Sequence, residues 1–171
     1  VLCGGNEIFG KDSKPVGYEN ANMRRIASVL QKYNSDIFFM PSTASGPVQE
    51  ASLTDSSKNH DIHGPWLYLG EDYYRHYNKL KCLFAGEFGC NGMSSVSTLR
   101  KFISKKFLKP VSASKSPVLR HHGEIWDLNF RITEIFGEIT DFDDYVAVGE
   151  YLQKSGIDYA VCSHRRNAPY Q

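Results

Sequence analysis

Short apolar runs alternate along the chain with longer segments in which apolar residues recur at helical spacing. Runs of consecutive apolar residues are typical of strands that are buried on both faces. Such runs occur at Val1–Cys3, Ile37–Met40 and Cys82–Ala85, and a brief strand is also predicted at His60–His63. A segment rich in Ser, Thr, Gly and Pro, Pro41–Asn59, predicts a long loop of the kind that carries function.

Helical periodicity predicts five helices and one irregular polar segment. Glycines at positions 149 and 156 weaken the prediction that the last helix is continuous. The predicted helices are Glu19–Tyr33, Glu71–Leu80, Ser94–Lys105, Glu124–Phe136 and Asp141–Arg166, and the irregular segment is Lys106–His122.

The alternation of strands and helices predicts an α/β fold in which helices cover a parallel sheet. Parallel α/β proteins place their chemistry at the carboxyl ends of the strands. Glu7 and Glu87 both follow an apolar run at such an end, and glycine lies close before each of them. These two carboxylates are therefore the first candidates for a functional site.

Composition and charge narrow the class of protein. The 171 residues are 41% hydrophobic, which is enough for one globular domain with a core. The formal net charge of +1 favours neither nucleic acid nor an anionic membrane surface as a partner. No apolar run is long enough for a membrane span, and no signal peptide is visible.

The cysteines and histidines predict no metal and no cofactor. The four cysteines, Cys3, Cys82, Cys90 and Cys162, form no C-x-x-C pair, which argues against zinc and thioredoxin-like sites. Cys3 and Cys82 lie within apolar runs, where a free cysteine is a small hydrophobe, and a reduced, cytoplasmic setting is favoured. A leader preceding residue 1 stays an open alternative. The adjacent histidines of the sequence RHHG, Arg120–Gly123, cannot easily share one ion.

Two carboxylates at two strand ends suit the hydrolysis of a glycosidic bond. One carboxyl group protonates the leaving oxygen, while the other attacks the anomeric carbon or activates water. A glycine shortly before each Glu would let a sugar ring approach the backbone. A Glu after a strand is more commonly a solvated loop residue, so composition and spacing alone leave the function only suggested.

Five segments, in chain order, resemble motifs of glycoside hydrolase family 2. CGGNE (Cys3–Glu7) resembles the acid/base motif, and FAGEFG (Phe84–Gly89) resembles the nucleophile motif. FMPSTASG (Phe39–Gly46) is similar to the loop after the fifth barrel strand. HDIHGPW (His60–Trp66) is similar to the sixth-strand segment of β-mannosidase-like members, and Asp143–Arg166 to the helix before the eighth strand.

The resemblance implies a partial (β/α)8 TIM barrel, with approximately strands 4 to 7, their helices and the helix before strand 8. A whole barrel takes about 250 residues. Residues 1–171 are therefore expected to be a fragment of the catalytic domain. The family's N-terminal jelly-roll and immunoglobulin-like domains are expected to lie outside this segment.

The resemblance also implies roles for individual residues in a retaining exo-β-glycosidase. Glu7 corresponds to the general acid/base, Glu87 to the nucleophile, and Asn6 to the residue that binds the sugar 2-hydroxyl. The two carboxyl groups of a retaining enzyme lie about 5–5.5 Å apart. Glu7 has to hold a proton near neutral pH while Glu87 is ionised, so repulsion and desolvation are expected to separate their pKa values.

Three further residues are predicted to bind substrate. His63 and Trp66 match positions near the family's sugar subsite, and Trp66 offers an apolar platform for a pyranose. Packing on the barrel rim is the alternative for Trp66. Ser42, in the loop after the second apolar run, is a further candidate for the pocket.

The sugar that the protein cleaves and the functional class of the protein both remain open at this point. The sequence DIHGPW favours a β-mannosidase-like activity, with β-galactosidase next, and the expected partner is a β-linked glycoside or oligosaccharide. A non-catalytic carbohydrate-binding or assembly module is the competing class. For the isolated 171 residues we expect weak or no hydrolysis, and self-association through exposed strand edges.

Overall fold

A computed structural model describes residues 1–109, 116–122 and 128–168, with only the backbone of Leu128 and Asn129. Contacts divide the chain into two units. The first comprises Val1–Gly64, Asn78–Phe88 and His164–Gln171, and the second comprises Pro65–Tyr77 and Gly89–Ser163.

The first unit holds two small parallel sheets. Strand β1 (Leu2–Cys3) pairs with β2 (Phe39–Met40), and β3 (Asp61–His63) pairs with β4 (Phe84–Glu87). The predicted parallel pairing is confirmed within each sheet. The prediction of a partial TIM barrel, and of one domain spanning 1–171, stays a prediction.

Two of the strands are more exposed than their apolar sequences predict. Leu2 in β1 is 43% exposed, and Phe84 in β4 is 48% exposed. The prediction of burial on both faces is wrong for β1 and β4. Each of the four strands has a single partner strand among the described residues, yet β2 and β3 are buried, so exposure depends on which side chains other segments cover. The expected strand at Cys82–Ala85 also begins two residues later. Self-association through these edges stays a prediction.

Helix α1 (Ala21–Tyr33) packs against the core of the first unit. The side chain of Asn20 caps it by accepting hydrogen bonds from the N–H groups of Asn22 (3.0 Å) and Met23 (3.3 Å). This cap explains why the helix begins two residues later than predicted. Buried Met23 packs in a cluster with Val16 and Phe39, which holds the helix beside β2.

The remaining helices agree with the predicted pattern except at one place. The segment Lys106–His122 was predicted to be irregular, but Pro117–His121 is helical because Ser116 caps it and Pro lies at its first turn. Residues 110–115, in the predicted irregular segment, and residues 123–127, which overlap the start of the predicted helix Glu124–Phe136, lie outside the described residues. The helices are α2 (Glu71–Lys79), α3 (Val96–Phe102), α4 (Pro117–His121), α5 (Leu128–Phe136) and α6 (Phe142–Arg166), with 3-10 turns at Ser56–Lys58 and Lys105–Phe107.

Helix α6 continues through both of its glycines. A Cβ at Gly156 would lie 3.0 Å from Cys90 Cβ and 3.2 Å from the Tyr73 hydroxyl oxygen. Gly156 therefore permits a close approach within the second unit and does not break the helix. At Gly149 the nearest such atom, Ile132 Cδ1, is 4.0 Å away.

The tyrosines of the second unit pack against one another. Tyr73 and Tyr77 are buried, and their ring centroids are 4.8 Å apart. Tyr68 and Tyr74 share a hydroxyl contact of 2.9 Å. Burial raises the pKa of Tyr73 to about 12.

The cysteines differ in burial. Burial raises the pKa of the Cys82 and Cys90 thiols to about 11. Cys3 is exposed, so its interpretation as a buried small hydrophobe is wrong, because other segments leave it uncovered, as they do Leu2. Among the described residues, no helix combines the length and the apolar character that crossing a membrane requires.

Candidate active site

Three side chains of the first unit converge where its strands end. Glu7 follows β1, His63 ends β3, and Glu87 ends β4. One oxygen of each carboxylate and one ring nitrogen of His63 all lie within 4.8 Å of one another. The structure therefore brings together the two carboxylates that are separated by 80 positions in the sequence.

His63 lies between the two carboxylates. Its Nδ1 is 3.0 Å from Glu7 Oε1 and 3.6 Å from Glu87 Oε2. Because both facing atoms are carboxylate acceptors, we assign a hydrogen to Nδ1. The His63 side chain is fully buried, whereas those of Glu7 and Glu87 are 34% and 38% exposed. The carboxylates can thus meet a ligand, and the imidazole orients them from behind.

The pairing of β3 with β4 places Glu87 in this group. Asp61 pairs with Phe84 and Ile62 with Ala85, but the register then shifts and His63 pairs with Glu87. Paired residues in a sheet project to the same face. The shift therefore brings Glu87 to the face of His63, where regular pairing would have put Gly86 in its place.

The backbone at Glu7 adopts an uncommon conformation. Its φ is +49°, in the left-handed region that residues other than glycine seldom occupy. The Glu7 N–H donates to the Thr43 carbonyl, and the Ile8 N–H donates to Ser42 Oγ at 3.0 Å. Such conformations persist where the surroundings hold them and cluster at functional sites. The loop after β2 thus fixes the direction of the Glu7 side chain.

Ser42 lies in the loop after β2 and supports the site from within. Its side chain is fully buried, and its hydroxyl accepts the hydrogen bond from the Ile8 N–H. The pairing of β1 with β2 continues to a bridge between Asn6 and Thr43, the residue after Ser42. The predicted place of Ser42 in the substrate pocket stays a prediction.

Asn6 and Trp66 occupy different units. Asn6 is exposed beside Glu7, and its Oδ1 accepts a hydrogen bond from Thr43 Oγ1 at 3.3 Å. Trp66 belongs to the second unit, where its carbonyl accepts from the Asn91 N–H. The predicted roles of both residues in sugar binding stay predictions.

Gln49 is a site residue that sequence reasoning missed. Its Nε2 donates to Glu7 Oε1 at 2.7 Å, and its carbonyl accepts from the His63 N–H at 2.8 Å. Gln49 therefore links the two residues through both its side chain and its backbone. It lies in the loop Pro41–Asn59, where no periodicity marks individual positions, and the length of that loop was the only available signal.

The hydrogen bonds to Glu7 lower the pKa of its carboxyl group. The bond from His63 is the largest cause, and the bond from Gln49 adds to it, against the opposing effect of burial. The shift is opposite to the one expected for a group that holds a proton near neutral pH. Its physical reason is the pair of donors that stabilises the charged form.

Replacing His63 by leucine is expected to raise the pKa of Glu7 toward its ordinary value of 4.5. Gln49→Leu should raise it by less, because His63 is the larger cause. A lowered carboxyl pKa contributes stability that is present above pH 4.5 and lost as pH falls through the folded-state pKa. His63→Leu should therefore flatten acid destabilisation in this window.

Carbon-13 titration of the Glu7 carboxyl group would measure these shifts. Gln31→Leu, a change on the exposed face of α1, is the matched control and should leave the Glu7 titration unchanged. An unaltered Glu7 pKa in folded His63→Leu would contradict the described hydrogen bond.

Two carboxylates and an imidazole are also ligands that divalent metal ions accept. Within the described residues, Glu7, His63 and Glu87 are the set whose donor atoms could converge on one ion. The sequence prediction of a site without metal stays a prediction.

Comparison with known proteins adds no relative. No protein-family model matches the chain, and no curated protein is significantly similar to it. The resemblance to glycoside hydrolase family 2 therefore rests on the five sequence segments.

Proposed function

We propose that these residues form part of the active site of a retaining β-glycosidase. The observation that carries the proposal is the approach of a Glu7 oxygen, after β1, to within 4.8 Å of a Glu87 oxygen at the end of β4. Retaining enzymes need about 5–5.5 Å between the carboxyl groups, whereas inverting enzymes need about 6.5–9.5 Å to admit a water. The separation supports double displacement.

In this mechanism Glu87 attacks the anomeric carbon and forms a glycosyl-enzyme ester. Glu7 gives its proton to the departing oxygen, and the aglycone leaves as an alcohol. Glu7 then takes a proton from a water molecule as that water attacks the ester, which releases the sugar and restores Glu87. Each step inverts the anomeric carbon, so the configuration is retained overall.

Because the pKa of Glu7 is lowered in the free site, substrate binding must also promote the protonation of Glu7. In the free site, His63 and Gln49 keep Glu7 ionised. A sugar that enters between the carboxylates excludes water. Its hydroxyl groups also accept hydrogen bonds from His63 and Gln49, so that Glu7 receives fewer of them. Both effects raise the pKa of a carboxyl group, so Glu7 acquires its catalytic proton when substrate binds.

The substrate class follows from the resemblance. A β-mannoside is the first candidate and a β-galactoside the second, because DIHGPW resembles the β-mannosidase-like branch. Asn6 is exposed next to Glu7, where an amide can donate to a sugar 2-hydroxyl. Its side chain would have to turn from Thr43 to do so.

A panel of nitrophenyl glycosides tests this function. We expect the natural protein that contains these residues to hydrolyse β-mannoside fastest, above β-galactoside, β-glucoside and β-glucuronide. Proton NMR of the first-formed sugar should show the β-anomer. The absence of hydrolysis across the panel, or release of the α-anomer, would contradict the proposal.

A further inference from the structure

Asp61 is a buried carboxylate that the proposed mechanism does not use. It is 2% exposed and lies at the start of β3, two positions before His63. Its Oδ1 accepts from the Gly86 N–H at 3.1 Å, and its Oδ2 accepts from the Ser45 N–H at 3.0 Å. One side chain therefore ties the loop after β2 to the residue that precedes Glu87.

Gly86 is the residue around which the register of β3 and β4 shifts. Before it Ile62 pairs with Ala85, and after it His63 pairs with Glu87. The Gly64 N–H accordingly donates to the Glu87 carbonyl at 2.8 Å. A bulge of this kind redirects the side chain that follows it.

The space beside Gly86 is filled by Asp61 and His63. A Cβ at Gly86 would lie 2.6 Å from Asp61 Oδ1 and 3.2 Å from His63 Nε2. Asp61 thus occupies the position that a side chain at Gly86 would need, while it holds the Gly86 N–H. Burial of a carboxylate is unfavourable unless donors compensate it, and here two backbone donors do.

We infer that Asp61 is a positioning residue for Glu87, which fixes the bulge at Gly86 and so keeps the Glu87 carboxylate beside His63 and Glu7. This inference rests on the proposed function, because it assigns Asp61 a part in aligning the nucleophile. Asp61 does not touch the reacting atoms. It acts through the backbone of the residue next to Glu87.

Asp61→Asn tests the geometric part in the 171-residue chain without any activity measurement. Asparagine has one acceptor oxygen where Asp61 uses two, so one of the two backbone donors loses its partner. In the wild type the Gly64 N–H donates to the Glu87 carbonyl across the bulge, so this amide should exchange slowly with solvent. In Asp61→Asn we expect the Gly64 amide to exchange about 10-fold faster, because the bulge is no longer held.

Asp36→Asn is the matched control, since Asp36 is exposed in the same unit, and it should preserve the slow exchange of the Gly64 amide. A folded Asp61→Asn chain in which the Gly64 amide exchanges as slowly as in the wild type would overturn the inference. If this variant does not fold, amide exchange in the wild type is the test. The amides of Gly86 and Ser45, which donate to Asp61, should be protected together with the Gly64 amide, and free exchange of the Gly86 amide would overturn the inference.

Kinetics of the natural protein test the functional part. Misplacement of a reacting group by about 1 Å costs about 100-fold in rate. Per folded molecule, Asp61→Asn should therefore lower kcat about 100-fold and leave KM nearly unchanged. A folded variant with kcat near that of the wild type would contradict the role of Asp61. Lack of hydrolysis by the wild type would contradict the proposed function instead, and amide exchange would still decide whether Asp61 holds the bulge before Glu87.

Discussion

Glu87→Gln in the natural protein is expected to abolish glycoside hydrolysis, with kcat lowered by about 10⁴-fold or more. Glutamine keeps the size of the side chain but is a far poorer nucleophile, so the glycosyl-enzyme ester cannot form. The variant should still bind substrate, because the loss falls on a group that forms its decisive bond in the transition state.

Steady-state kinetics with the preferred nitrophenyl glycoside would measure the loss. Glu50→Gln removes an equal charge from an exposed position beside Gln49 and should retain wild-type activity. A 2-fluoro-glycosyl inactivator should add one sugar to the wild type, and peptide mass analysis should place it on Glu87. Labelling of another residue, or retention of a tenth of the activity in Glu87→Gln, would exclude Glu87 as the nucleophile.

Glu7→Ala is expected to give the second-largest loss, about 10²- to 10⁴-fold in kcat for substrates whose leaving group needs a proton. Dinitrophenyl glycosides leave without protonation, so with them the first step should be nearly unimpaired. The glycosyl-enzyme should then accumulate, because the base that activates water is missing. As the leaving group improves, the step that limits the rate of the variant should therefore change from glycosylation to deglycosylation.

Azide distinguishes the two roles. In Glu7→Ala, azide can enter the space left by the carboxylate and attack the glycosyl-enzyme, which yields a β-glycosyl azide after two inversions. In Glu87→Ala, azide would attack the substrate directly and yield an α-glycosyl azide after one inversion. An α-product from Glu7→Ala would reverse the two assignments, and a failure of azide to restore turnover would contradict the role of Glu7 as base.

Part of the fold could be predicted from sequence because it depends on local patterns. The apolar run Ile37–Met40 predicted β2, and helical spacing predicted α1 and the long helix α6. These elements appear at or near their predicted bounds. Their ends moved by one or two residues where a side-chain cap, such as Asn20, determined the first turn.

The candidate site was only partly visible in the sequence. Glu7 and Glu87 could be identified because each follows an apolar run and a glycine. The two positions meet because the carboxyl ends of parallel strands lie at the same side of the fold. Gln49 carried no comparable mark, since a loop residue becomes part of a site through the path of its backbone. The burial of Ser42 could not be predicted either, because the inward or outward direction of a side chain depends on strand register.

The sequence by itself determined the elements of this protein and the two acidic groups at its strand ends, because apolar periodicity and adjacent residues are local properties of the chain. The tertiary structure decided how those groups are held. Contacts between distant segments create the bulge at Gly86 and bring the donors of His63 and Gln49 to Glu7. Where such contacts are lacking, Leu2 and Phe84 stay exposed. For the same reason the pKa of Glu7 is lowered, since a carboxyl group responds to its neighbours in space.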